Sequence, residues 1–175
     1  MTTPQDSAGD APPAPAVRRL LPWTLLLAAG VVAVDQLTKW WAESTLVLGR
    51  GVPVLGELIQ WRLHYNPGAA LGLASDLTWL LTVVAAVAVV ALTGFATRVT
   101  ATPWAVGVGL LLGGATTHLG DRLLRPPGFA RGHVVDFIDY GGLFIGNVAD
   151  IALVGGAAFL VLLTLLGVEP GRRPG

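Results

Sequence analysis

Two aspartates, Asp136 and Asp150, stand in apolar company within GHVVDFIDYGGLFIGNVAD, residues 132–150. Asp136 lies between Val135 and Phe137, and Asp150 between Ala149 and Ile151. From residue 144 to residue 168 only Asn147 and Asp150 are strongly polar. An ionisable group at the start of a membrane-spanning run is costly to hold there and marks function by default. Two carboxyls brought together in a poorly solvated place split their pKa values and share a proton, so that one works as base and the other as acid. Asp121 and Asp139 compete with Asp136 as the partner of Asp150. Asp121 is followed by Arg122, which is expected to hold it ionised, and Asp139, beside Tyr140 and two glycines, reads as solvated. Asp136, flanked by valines, Phe137 and Ile138, is the better partner because desolvation raises its pKa.

The elements that must position this pair are membrane elements. Of 175 residues 53% are hydrophobic and only 13% charged, about half the charge of an ordinary soluble domain, and the mean hydropathy is +0.66. Net charge is zero, so nothing points to nucleic acid. No cysteine is present, which excludes disulfides and thiol chemistry. The three histidines lack the HExxH spacing of a metal hydrolase, and no metal or cofactor is expected.

In chain order, residues 1–17 read as a disordered tail rich in Pro, Ala, Thr and Asp. A first span covers about 20–41, uncleaved because its apolar run continues into a polar helix face with paired tryptophans. On that face Asp35, Thr38 and Lys39 lie at i, i+3 and i+4, where an exposed Asp–Lys pair is the simplest reading. Trp40, Trp41 and Trp61 suit a membrane–water interface. Residues 58–63 alternate as a strand could, and Asn66-Pro67-Gly68 is turn chemistry. Spans at about 77–95, 104–119 and 144–168 follow, and 169–175 forms a polar tail. The third span ends in GGATTHLGDR, where Gly113, Gly114 and Ala115 permit close helix packing. There His118 and Asp121, at i and i+3, face the same way and suggest a polar cluster. HVVDFID, residues 133–139, reads as a strand. An even number of spans puts both termini on one side. Five basic residues on that side against six on the other leave the count undecided; the basic pairs flanking the first and last spans, with the longer opposite segments, favour the cytoplasm for the termini and the outer face for the aspartates.

The ordered motifs VDQLTKWW, YNPGAALG, GGATTHLGDR, GHVVDFID and GNVADIA, spread over residues 20–168, resemble the lipoprotein signal peptidases, the type II signal peptidases of bacteria. The resemblance implies an all-α membrane protein with four transmembrane helices, a small extracytoplasmic β-cradle, and a place in the bacterial cytoplasmic membrane. It implies an aspartyl endopeptidase that removes the signal peptide from precursors whose cysteine carries diacylglycerol, so the partners are those precursors and membrane lipid, and a monomer is expected. The catalytic dyad would be Asp136 and Asp150, one aspartate activating water while the other, protonated, bonds the scissile carbonyl. Asp35 and Lys39 match the family's polar pair on the first helix, and Asn66, Arg122 and Asn147 match its turn Asn, its DR pair and the Asn before the second aspartate. His118 and Asp121 complete the supporting set. This chain departs from the family in Thr117-His118, where Gly-Asn is usual, and in Gly146, where Phe is usual. The fourteen positions from Asp136 to Asp150 are also a short connection. Two other functions fit parts of the pattern: a catalytically silent paralogue that binds lipidated peptides, and a small proton-coupled transporter.

Overall fold

The computed structural model describes residues 20–68 and 78–171. The expected N-terminal tail, the final residues 172–175 and the second half of the Asn66 motif lie outside the described residues. Four helices are present among them: α1 (Leu21–Thr45), α2 (Thr78–Ala96), α3 (Thr102–Leu124) and α4 (Val148–Leu165). Between them lie β1 (Val52–Leu55), β2 (Ile59–Asn66), β3 (Val134–Asp139) and β4 (Ile145–Gly146), one antiparallel sheet in the order β1-β2-β3-β4. The chain is thus mostly helical with a small sheet, and α1, α2 and α4 are long and apolar enough to cross a membrane.

α3 carries glycines, threonines, His118, Asp121 and Arg122, and it packs against the other three. Its small residues let it do so. A Cβ on Gly113 would come within 2.6 Å of Val31 and 2.9 Å of the Ala28 carbonyl on α1. One on Gly114 would come within 2.6 Å of Leu153 and 2.9 Å of the Ala149 carbonyl on α4. In lipid, where burial of apolar surface drives little association, such close backbone approach is what joins helices. It also sets the polar end of α3 between α1 and the start of α4.

The sheet differs from the two loose strands expected. β2 runs on to Asn66, and β1 and β4 are additional. The register sets His64 opposite Asp136 and Ile138 opposite Gly146. All six residues of β3 are buried. Val135, Phe137 and Ile138 form a core with Ala42 of α1 and Leu63 of β2. Trp41 meets Trp61 edge-on at 5.6 Å between ring centroids, so these tryptophans tie the sheet to α1 as well as suiting an interface. Because 145–146 pair with β3, the last helix begins at Val148 and not at residue 144. The turn between β3 and β4 is tight: the Tyr140 N–H donates to the Phe144 carbonyl at 3.0 Å, and Gly141 and Gly142 take φ of 62° and 78°. Side chains with a Cβ rarely adopt that region, so the glycines make the short connection possible.

Candidate active site

Asp136 and Asp150 are joined through Asn147, the N-cap of α4. Its side-chain oxygen accepts from the Asp150 N–H at 3.0 Å, and the Asp150 Oδ2 accepts from the Asn147 N–H at 2.8 Å, a reciprocal capping box. With its oxygen so used, the Asn147 amide must turn its Nδ2 outward, and it donates to Asp136 Oδ1 at 2.6 Å. The second oxygen of Asp136 accepts from Asn66 Nδ2 at 2.9 Å. That amide is likewise oriented, because Asn66 Oδ1 accepts from the Gly68 N–H at 3.0 Å. The two carboxyls face one cleft of about 530 Å3. Asp136 is 2% exposed, and the Asp150 side chain 36%. Gly146 keeps the space beside Asp150 clear: a Cβ there would lie 2.9 Å from its Oδ2.

Burial pushes the Asp136 carboxyl up from its ordinary 3.8 to about 6, with the charge of Asp150 adding to the rise. The bonds from Asn66 and Asn147 and the nearby His118 oppose it. Between those two pH values the folded chain keeps a proton that the unfolded chain has lost, so this group's contribution to stability falls as pH rises through the window.

Arg122 does not pair with Asp121. Its guanidinium donates to the carbonyls of Pro67 at 2.9 Å, Gly132 at 3.1 Å, Asn66 at 3.3 Å, and Gly68. It thereby fixes the turn that aims Asn66 at Asp136. Asp121 pairs instead with Lys39 at 2.6 Å and with Arg125 Nε at 2.8 Å. The Asp35–Lys39 pair is not an exposed helix end either: both side chains have no exposed surface. Lys39 bonds Asp35 Oδ2 at 2.6 Å, Thr117 donates to the same oxygen at 2.5 Å, and Asp35 Oδ1 accepts from the Ala149 N–H at 2.9 Å. Asp35 therefore satisfies an orphan donor in the first turn of α4 and sets a negative charge at its N-terminus. Asp35, Lys39 and Asp121 lie behind the cleft and carry the helix start on which Asp150 stands. Asp139 is buried at 1% exposure rather than solvated: it accepts from the Gly142 N–H at 2.7 Å and lies 3.1 Å from Arg62 Nε, steadying the hairpin turn.

His118 parts company with Asp121. Its Nε2 lies 3.1 Å from Asp150 Oδ1, in the cleft, while Asp121 points to Lys39. The sequence reading missed Gln36, Glu43 and Arg125 of the buried network. Arg125 Nη1 reaches Glu43 at 2.8 Å, and Gln36 donates to Thr117 at 2.7 Å and to Asp121 at 3.1 Å. The i, i+4 spacing of Asp121 and Arg125 was a usable signal for one of them.

Comparison with known proteins gives the family. The model of the family Signal peptidase (SPase) II matches residues 27–166. The chain belongs to the signal peptidase II family. It is 47% identical to the lipoprotein signal peptidase of Rhodococcus jostii over 97% of this chain and 86% of that protein. Identity to the lipoprotein signal peptidase of Mycobacterium avium is 42%, covering 97% and 95%. A solved bacterial membrane enzyme, determined by the in meso method at 2.3 Å, superposes with a TM-score of 0.74 at 28% identity over 88% of this chain and 94% of that one. As a member of the signal peptidase II family, the chain is a membrane peptidase that removes signal peptides.

Proposed function

We propose that this signal peptidase II family member is an aspartyl endopeptidase that cuts diacylglyceryl-modified lipoprotein precursors, with Asp136 and Asp150 as its dyad. The observation that carries the reading is the double use of Asn147, which holds Asp136 by its amide and Asp150 by its backbone N–H beside one cleft. Asp150 has an acceptor bond on each oxygen, from Asn147 and facing His118, and suits the ionised, water-activating role. Asp136, with its raised pKa, suits the role of acid.

In the proposed reaction Asp150 takes a proton from a water whose oxygen bonds to the scissile carbonyl carbon. Asp136 gives its proton to the carbonyl oxygen, forming a neutral gem-diol. As the C–N bond breaks, the proton held by Asp150 passes to the leaving amine, and Asp136 recovers its own from the diol hydroxyl. No covalent intermediate with the enzyme is needed.

Leu81 and Ala85 of α2 and Val154 of α4 give the cleft an apolar wall continuous with the spans. Acyl chains on the precursor can remain in lipid there while the scissile bond meets the carboxyls, which raises the local concentration of substrate. On this reading α3 is a fourth span, residues 18–168 form the membrane peptidase domain, both termini lie in the cytoplasm, and the sheet lies at the outer face of the inner membrane. The side on which a reporter fused after Val168 is active tests that orientation. The activity itself is tested by incubating the purified protein with a diacylglyceryl-cysteine precursor peptide and weighing the products. The expected products are the free signal peptide and a fragment beginning at the lipidated cysteine; an intact precursor would overturn the reading.

A further inference from the structure

The cleft holds a titratable group for which the two-carboxyl mechanism has no use. His118, on α3, has its side chain 19% exposed and its Nε2 3.1 Å from Asp150 Oδ1. The other oxygen of Asp150 is occupied by the Asn147 N–H, so the imidazole addresses the oxygen left to activate water. Histidine is the side chain whose ordinary pKa lies in the range where enzymes work. An Asn or Gln at this place could donate the same bond but could not carry a charge.

We propose that His118 is a positioning residue of the dyad: its Nε2–H holds Asp150 Oδ1 in place for water activation, and its imidazolium charge limits the pH range over which the dyad keeps its shared proton. This rests on the dyad reading above and deepens it. The charge acts on both carboxyls, since His118 also opposes the rise that burial imposes on Asp136. The other charged or titratable groups around the two carboxyls are His64, opposite Asp136 on β2, Arg122 one turn further along α3, Tyr140 at the hairpin turn and Lys39 on α1. α2 presents apolar Leu81 and Ala85 to the cleft. His118 is thus the α3 side chain that addresses the Asp150 oxygen not held by Asn147.

The test compares the full-length wild type with His118→Asn and His118→Leu, cleaving a diacylglyceryl-cysteine precursor peptide across the pH range. His118→Leu is expected to lower kcat several-fold, because Asp150 Oδ1 loses the donor that holds it for water activation. His118→Asn should recover most of that loss, because it restores a donor. In both variants the alkaline limb of kcat/KM should move to higher pH, since the positive charge near Asp136 has gone. A histidine that merely fills space would leave that limb in place, so superposing profiles, or a fully active His118→Leu, would overturn the proposal. Should His118→Leu fail to fold, the limb of His118→Asn decides alone. Asp136→Asn and Asp150→Asn run in the same assay separate the two readings. If either stays active, the dyad itself fails. If both are inactive while the His118 variants match the wild type, only the role of His118 fails.

Discussion

Asp136→Asn and Asp150→Asn are each expected to lower cleavage of a lipidated precursor peptide by at least about a thousand-fold, the scale of a lost general acid or base that the reaction cannot bypass. An amide can neither take the proton of the attacking water nor give one to the carbonyl oxygen. Asparagine is nearly isosteric, so the folded protein should survive. At 136 the amide still fits between the donors Asn66 and Asn147, with one of the two bonds reversed or lost. At 150 its oxygen can still accept from the Asn147 N–H and keep the cap of α4. Turnover at saturating peptide, with elution and thermal unfolding as controls, measures the effect. Near-wild-type turnover in either variant would contradict the assignment.

The second large effect falls on the fold. Lys39→Met removes the one ammonium lying between Asp35 and Asp121, at 2.6 Å from each, in a place without exposed surface. Two buried carboxylates then face each other with Thr117, Gln36, Arg125 and the Ala149 N–H as their remaining donors. Breaking a buried pair by removing one partner costs about 3–5 kcal/mol, and the unfolding midpoint should fall by roughly 10 °C. Because Asp35 caps α4 through the Ala149 N–H, activity should fall with stability. Adding Asp35→Asn to Lys39→Met should recover part of the midpoint, since it removes one of the stranded charges; the shortfall from additivity measures the coupling. An unchanged midpoint for Lys39→Met would show that the cluster does not hold the helix start.

The parts of the site that were legible in sequence are those written in local context. Asp136 sits among valines and Phe137, and that neighbourhood is what a buried strand looks like; β3 is buried on both faces. Asn66-Pro67-Gly68 names its own turn, and the structure shows the turn aiming the asparagine at Asp136. What local context misjudged were long-range partners. Arg122 follows Asp121 in the chain, yet adjacent helix residues point apart, and the guanidinium went to four carbonyls while Lys39, eighty-two positions away, took the carboxylate. Asp139 beside two glycines looked wet, but the turn those glycines make folds the Gly142 N–H back onto it. Residues 144–146 are as apolar as the helix that follows, so hydropathy alone could not separate β4 from α4. Only the capping pattern Asn147 to Asp150 marks the boundary. The apolar runs marked α1, α2 and α4 readily, while the glycines and polar end of α3 serve packing and the site.

Whether Asp136 and Asp150 share one proton, held by Asp136, is read most directly by infrared difference spectroscopy of the protonated carboxyl stretch as pH is raised from about 4 to about 8. The wild type should show a carboxyl band that fades as pH passes about 6, the value to which burial raises Asp136. That band should be absent from Asp136→Asn and still present in Asp150→Asn. A band that survives Asp136→Asn and vanishes from Asp150→Asn would reverse the roles of acid and base, and a wild type with no such band would contradict the shared proton altogether.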